Sequence, residues 1–324
     1  MMYNRPMSKL QKTYAVLGTG AIGGYCAAKL NQAGFDVHCL LRSDFDYVKK
    51  SGLAILTDQG KITTHVHAYQ QIDELPKCDV VLVALKTTQN HLLKTMLPKV
   101  MHDNSVVVLL QNGIGAEQEI AQFIEASKII GATCSLKVSK IAPGVIRHFN
   151  ENNVRFAQYY TNSQHEEIST VSKQLAEDFN RAEIKSSALA HLITMRWSKL
   201  SGNLAMSGLS TILNASIQEI VNNPASFSLL CNIIKEGIRV AEKSGAKFPE
   251  NFYQIRVDIF KSFANMPTSY SSMKEDFDAK RPLELHGIYE NALTIAKQNN
   301  ITMPLTEMLY QQLVFLNKRN LSNK

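Results

Sequence analysis

Tyr14-Ala15-Val16-Leu17-Gly18-Thr19-Gly20-Ala21-Ile22-Gly23-Gly24 runs an apolar strand directly into a G-x-G-x-x-G turn, and the residues that follow, among them Ala27, Ala28 and Leu30, continue with helical spacing. Strand, glycines and helix in that order are the context a dinucleotide-binding site requires. Gly18 permits the tight turn, Gly20 lets the main chain approach a pyrophosphate, and Gly23 lets the helix pack closely on the strand. Thr19, Ala21 and Ile22 fill the same loop. The helix behind them offers unpaired N–H groups and partial positive charge to phosphates.

The second apolar run, Val37-His38-Cys39-Leu40-Leu41, indicates which dinucleotide to expect. A chain that binds NAD places Asp or Glu at the end of this run to hold the ribose 2′-hydroxyl. Here the place is taken by Arg42. A guanidinium suits a 2′-phosphate through paired charge-assisted hydrogen bonds, so Arg42 points to NADPH. Asp44 and Asp46, just beyond, keep NAD open as an alternative.

Working outward, strand-like runs recur at Tyr14–Leu17, Val37–Leu41, Val80–Leu85, Val106–Leu110 and Ile129–Cys134, with helical patterns between several of them. That alternation predicts a doubly wound parallel sheet. Gly144–His148 and Val154–Gln158 read as a later hairpin or edge extension of it. From about Ser169 strand signals vanish and helical periodicity continues to the C-terminus. The expected fold class is therefore α/β followed by an all-helical domain, with residues 1–187 as the nucleotide-binding domain and 188–324 as the helical substrate and catalytic domain.

Composition agrees with an ordinary globular protein. The 324 residues can bury two sizeable cores, and a hydrophobic share of 45% with 19% charged residues argues against a disordered chain. The formal net charge of +7 is spread along the chain rather than clustered, and no basic-aromatic alternation suggests nucleic acid. A basic surface instead suits an anionic cofactor and an acidic substrate. Cys26, Cys39, Cys78, Cys134 and Cys231 contain no C-x-x-C pair and mostly sit in apolar runs, as free thiols of a reducing compartment do. Met1–Leu10 lacks the apolar core of a signal peptide, and the longest apolar run, Val80–Leu85, is far shorter than the roughly 20 residues of a membrane helix. A cytoplasmic location with no membrane partner is expected. The histidines, including His65 and His67, form no ligand cluster, so no metal is expected.

Ligands of open α/β sheets bind beyond the carboxyl ends of the strands. Lys86, which follows the Val80–Leu85 run, and Asn112-Gly113, which follow Val106–Gln111, fall on that rim, where a nicotinamide would lie. The helical half offers Arg196-Trp197-Ser198-Lys199-Leu200-Ser201-Gly202-Asn203-Leu204-Ala205-Met206-Ser207. Lys199, Asn203 and Ser207 are spaced i, i+4, i+8 and share one helix face, a narrow polar stripe between apolar ones that suits a helix lining a cleft.

With these residues in place the chain resembles the ketopantoate reductases (2-dehydropantoate 2-reductases). The resemblance runs over nearly the whole chain, from Gly18-x-Gly20-x-x-Gly23 through Arg42, Lys86 and Gln111-Asn112-Gly113 to Lys199-x-x-x-Asn203, Ser271-Ser272-Met273 and Arg281-Pro282-Leu283-Glu284. It implies a Rossmann-type N-terminal domain, a helical C-terminal domain, and NADPH-dependent reduction of 2-dehydropantoate to (R)-pantoate, a step of pantothenate and coenzyme A biosynthesis. Lys199 matches the family's general acid, and Glu284 the carboxylate that holds the substrate hydroxyl and helps orient that lysine. Asn203 and Ser272 match groups that hold the hydroxyl and carboxylate ends of the substrate, Ser207 stands at the position of a further substrate group, and Asn112 lies at the junction of substrate and cofactor. The partners implied are a small 2-oxo acid and at most a second copy of the chain, as monomer or homodimer.

Hydride arriving at a carbonyl carbon builds negative charge on the oxygen, which an adjacent ammonium stabilises and protonates. Two departures from the family pattern bear on the substrate rather than the reaction: Ser207 replaces a second Asn, and Leu285-His286-Gly287-Ile288-Tyr289-Glu290 differs from the usual continuation. A reductase of another small 2-oxo acid, and a non-catalytic NADP(H)-binding sensor, are the alternatives. Retention of Lys199, Asn203, Ser272 and Glu284 together argues against the sensor.

Overall fold

In the computed structural model, which describes residues 12–161 and 165–322, the quoted run becomes β1 (Thr13–Leu17), entirely buried from Tyr14 onward, and α1 (Ala21–Gln32) follows it. The reading of Met1–Leu10 lies outside the described residues. There follow β2 (Asp36–Leu40), α2 (Phe45–Ser51), β3 (Leu53–Thr57), β4 (Gly60–Thr64), β5 (His67–Tyr69), β6 (Cys78–Val83), α3 (Leu93–Val100), β7 (Met101–Leu109), α4 (Ala116–Ile120), β8 (Ile129–Ala142), β9 (Val145–Gln158), α5 (Thr170–Arg181) and β10 (Lys185–Ala188). Among the described residues these strands form one ten-stranded sheet of order β4-β3-β9-β8-β7-β6-β1-β2-β5, with β10 also paired to β9.

From β5 to β8 every neighbouring pair is parallel. Strand order reverses between β1 and β6, and the glycine turn and Lys86 both leave the sheet at that switch point. The expected parallel sheet is in fact mixed. Pro143-Gly144, with Gly144 at φ +63°, turns β8 straight back into an antiparallel β9. The two stretches expected as a hairpin or edge extension, Gly144–His148 and Val154–Gln158, belong, apart from the turn residue Gly144, to this one strand, and it is interior because β3 pairs with it on the far side. The β3-β4 hairpin is not among the expected strands, although Leu53–Leu56 is an apolar run and Ile62-Thr63-Thr64 is β-branched; β4 is exposed along most of its length.

Strand structure also persists beyond Ser169, contrary to expectation. β10 reads Lys185-Ser186-Ser187-Ala188, without a β-branched or aromatic side chain, and is extended because it pairs in parallel register with Asn153–Phe156.

The remainder is helical: α6 (Leu192–Ile212), α7 (Ile217–Asn222), α8 (Pro224–Lys243), α9 (Phe252–Ser262), α10 (Ser272–Asp278), α11 (Asn291–Gln298) and α12 (Pro304–Ser322). α6 is buried on most of its circumference, with α8, α10 and α12 packed around it, and Trp197, Leu200 and Leu204 join Leu230, Ile233 and Leu313 in the second core. The two faces of the sheet carry cores of their own. No helix among the described residues is long and apolar enough to cross a membrane.

Candidate active site

The glycine turn is a cradle built by close approach. Gly18 has φ +97°, and a Cβ there would lie 2.6 Å from the Leu85 nitrogen at the exit of β6. A Cβ on Gly23 would stand 2.1 Å from the Gly18 carbonyl oxygen, so the first turn of α1 rests directly on the loop. At Gly20, by contrast, a Cβ would meet nothing within 4 Å, which leaves open space at the helix N-terminus where a pyrophosphate would approach. Thr19 donates its hydroxyl to the Leu40 carbonyl at 3.2 Å and ties the loop to β2, while Ala21 and Ile22 are half-buried in the first turn of α1.

Beyond β2, Arg42 is exposed. Asp44 is not a free alternative for a ribose, because it is buried and accepts from Lys140 Nζ at 2.7 Å, the Gly144 amide at 3.0 Å and Ser43 Oγ at 2.9 Å. Burial alone would raise its pKa, but these donors hold the carboxyl below the usual carboxylate range.

On the rim, Lys86 and Glu284 come together, with two partners the sequence reading missed. Lys86 Nζ lies 2.7 Å from Asp276 and 3.2 Å from Glu284. Glu284, 5% exposed, also accepts from the Thr87 amide at 2.9 Å and the Thr87 hydroxyl at 3.2 Å. Burial pulls the Lys86 pKa down, yet the charges of Glu284 and Asp276 outweigh it and leave the ammonium above its ordinary value. A signal for Asp276 was present, since it sits four residues after Ser272 on α10 and therefore on the same face.

Lys199 stands apart from this cluster. Its Nζ donates to Asn112 Oδ1 and to the Cys134 carbonyl, both at 2.7 Å. The orientation of Lys199 by Glu284 that the resemblance implies is therefore not a direct hydrogen bond in this structure; the Glu284 carboxylate is taken by Lys86 and Thr87, both at the exit of β6. Burial first, then the charges of Arg196 and Lys86, hold the Lys199 pKa below its ordinary value, while Cys134 and Glu284 work the other way. An ammonium so placed, half-buried and with lowered pKa, is a stronger proton donor than a solvated lysine.

Asn203, half-buried, and Ser207, buried, continue the Lys199 face of α6. Ser272 is exposed at the start of α10, and the buried Ser271 caps that helix by accepting from the Lys274 amide at 3.2 Å. The loop after β7 crosses the helical unit very closely: Gly113 has φ +89°, a Cβ on it would lie 2.2 Å from the Gly287 carbonyl oxygen, and the Ile114 amide donates to that same oxygen at 2.9 Å. Gly287 lies in a π-helical turn, His286–Glu290, within the segment that departs from the family pattern.

Two family models match the chain, "Ketopantoate reductase PanE/ApbA" over residues 14–160 and "Ketopantoate reductase PanE/ApbA C terminal" over residues 191–317. The chain is similar to a 2-dehydropantoate 2-reductase of Nostoc sp., 39% identical over 311 residues and covering 96% of this chain and 97% of the relative. Among solved structures, a 2-dehydropantoate 2-reductase from Geobacter metallireducens superposes with TM-score 0.87 at 27% identity, covering 95% of this chain and 99% of that one. A D-mandelate dehydrogenase with NADH and anilino(oxo)acetate shares the fold at TM-score 0.85 and 18% identity, covering 95% and 99% of the two chains. With both halves matched and the curated relative aligned almost end to end, the chain belongs to the ketopantoate reductase family of oxidoreductases.

Proposed function

We propose that the protein catalyses the NADPH-dependent reduction of 2-dehydropantoate to (R)-pantoate, in the cytoplasm, with residues 1–187 holding the cofactor and 188–324 completing the substrate site. The observation that carries this reading is the Lys199 ammonium held 2.7 Å from Asn112 at the strand rim of a dinucleotide fold. The cradle residues fit a dinucleotide: Gly18, Gly20 and Gly23 with Thr19, Ala21 and Ile22 leave room for its pyrophosphate. Arg42 is free to meet a 2′-phosphate while Asp44 is committed to Lys140 and Gly144. When bound, the cofactor supplies hydride to the 2-oxo carbon.

The chain's own residues do the rest. Lys199 Nζ hydrogen-bonds the 2-oxo oxygen, stabilises the charge developing there and transfers a proton to it. Asn112 and the Cys134 carbonyl hold the ammonium in place before substrate arrives. Lys86 carries positive charge on the rim, balanced by Asp276 and Glu284, and Glu284, Asn203, Ser207 and Ser272 are the residues assigned to the substrate. The five free cysteines support a reducing compartment.

The test is NADPH oxidation by purified protein with 2-dehydropantoate and a panel of other 2-oxo acids. 2-Dehydropantoate is expected to give the highest kcat/KM, and Lys199→Ala to lower kcat by roughly 10²–10⁴ while leaving NADPH bound. A better substrate elsewhere in the panel would replace the assignment with another 2-oxo acid. Binding of NADPH without turnover of any would replace it with a sensor.

A further inference from the structure

We infer that Arg196 is a positioning residue for Lys199, clipping α6 to the exit of β7 so that Lys199 meets Asn112. The inference rests on the reading of Lys199 as proton donor. Arg196 lies three residues before Lys199, so the two side chains leave the same side of α6, about 4.5 Å apart along its axis.

Arg196 is 3% exposed, and its fork is fully engaged. Nη1 donates to the Gln111 carbonyl at 2.6 Å, Nη2 to the Leu109 carbonyl at 3.0 Å, and Nε to Glu117 Oε1 at 2.8 Å. Leu109 ends β7 and Gln111 immediately precedes Asn112. Two cations of one helix therefore grip one short segment at both ends: Arg196 holds its carbonyls and Lys199 holds its asparagine. Any slide of α6 along the rim must break both grips.

Glu117, 2% exposed on α4, balances the buried guanidinium. The sheet leaves space for it, since a Cβ on Gly131 of β8 would lie 2.4 Å from Glu117 Oε1. The planar fork explains why this position carries arginine: a lysine presents no bidentate geometry and cannot span three acceptors on two elements. The positive charge of Arg196 also adds to burial in keeping Lys199 below the ordinary lysine range.

The experiment compares wild type, Arg196→Ala and Arg196→Lys in three measurements. The first is kcat and KM for 2-dehydropantoate with NADPH across pH. The second is NADPH affinity. The third is the pH dependence of Lys199 acylation by acetic anhydride, read by mass spectrometry, which requires no turnover. For Arg196→Ala we expect kcat to fall on the order of 10²-fold, as misplacement of a reacting group by about 1 Å does, with NADPH affinity little changed. Loss of the neighbouring charge raises the Lys199 pKa, so the acylation curve and the alkaline limb of the rate profile both move to higher pH. Arg196→Lys retains the charge and the wild-type curve but recovers only part of kcat. Arg196 borders a cavity of about 210 Å³ together with Glu117, Tyr159 and His191, and added guanidinium ion should restore turnover in Arg196→Ala.

An Arg196→Ala enzyme within about twofold of wild-type kcat, or one whose loss follows NADPH affinity with an unmoved Lys199 curve, overturns the inference. If Arg196→Ala does not fold, Arg196→Lys decides it, and full wild-type kcat in that variant overturns the clip. If the wild type reduces no 2-oxo acid, the reductase reading fails separately, and an unmoved Lys199 curve in either the alanine variant or, should that not fold, Arg196→Met overturns the clip.

Discussion

Glu284→Gln is the substitution that separates the two pairings open to this carboxylate. The glutamine oxygen can take the Oε1 place and keep the bonds from the Thr87 amide and hydroxyl, at 2.9 and 3.2 Å. Its amide nitrogen then faces Lys86 Nζ across 3.2 Å, donor against donor, and that contact is lost. A hydrogen bond to a charged group contributes about 1.5–3 kcal/mol. The lower end applies here, because Lys86 is 43% exposed and retains Asp276 at 2.7 Å. Because the contact exists before substrate binds, about 1.5–2 kcal/mol is expected as lost folding stability, and kcat/KM falls only by the part of it that strengthens in the transition state, at most roughly 10- to 30-fold.

The companion measurement is folding stability by urea unfolding in two double-mutant cycles. Glu284→Gln with Lys86→Met should couple by about 1 kcal/mol, because the pair is in contact. Glu284→Gln with Lys199→Ala should add to within about 0.5 kcal/mol, because Lys199 bonds to Asn112 and Cys134 instead. Stability rather than rate is the decisive readout, since two groups serving one transition state are non-additive in kcat whether or not they touch. Coupling to Lys199 larger than coupling to Lys86 would refute the geometry and restore Glu284 as the direct partner of Lys199.

Three further outcomes are expected. Arg42→Ala should cut NADPH affinity by about 10- to 100-fold, the equivalent of about 1.5–3 kcal/mol, and leave NADH affinity unchanged; equal losses for both in a titration would mean that Arg42 does not meet the 2′-phosphate. Gly113→Ala should destabilise by about 2 kcal/mol or more, because φ is +89° and the new Cβ lies 2.2 Å from the Gly287 oxygen, and an unchanged urea midpoint would show that the loop is not held there. His286 bridges Glu119 at 3.0 Å and Glu290 at 2.9 Å, and although burial lowers its pKa the two carboxylates raise it above the ordinary value. A raised folded pKa means stability that is full below the unfolded pKa of about 6.5 and declines as pH rises through the folded one, so Tm of the wild type should fall across that window more than Tm of His286→Gln, and parallel curves would count against the bridge.

Much of the fold was legible because its signals are local. A fully buried strand such as β1 must be a continuous apolar run, and a turn that brings Gly23 onto the Gly18 carbonyl must lack side chains, so both are written in adjacent residues. The stripe of Lys199, Asn203 and Ser207 follows from helix geometry alone. What failed had a weak local signal or none. Lys185–Ala188 is a strand only because β9 lies beside it, and β4 is an exposed Gly60-Lys61-Ile62-Thr63-Thr64 extended by pairing with β3. The single position of β9 inside the sheet depends on β3, nearly a hundred residues earlier, returning to its far side.

The pairings within the site were illegible for the same reason, carried further. Asn112 and Lys199 are separated by 87 residues, and Thr87 and Glu284 by 197. No periodicity relates positions so far apart, so motif spacing could place four chemically suited residues at one cleft but could not say which ammonium would face which carboxylate. The choice is made by where each side chain begins. Lys86 and Thr87 leave the end of β6 opposite α10 and the Glu284 turn, so Glu284 receives both. Lys199 leaves α6 one turn after Arg196, and with Arg196 bound to the Leu109 and Gln111 carbonyls its reach ends at Asn112 and Cys134. The Lys199 ammonium is thus positioned by neutral acceptors and the Glu284 carboxylate is neutralised by a different lysine. That division lets Lys199 keep a lowered pKa, which a direct Lys199–Glu284 pair would have raised.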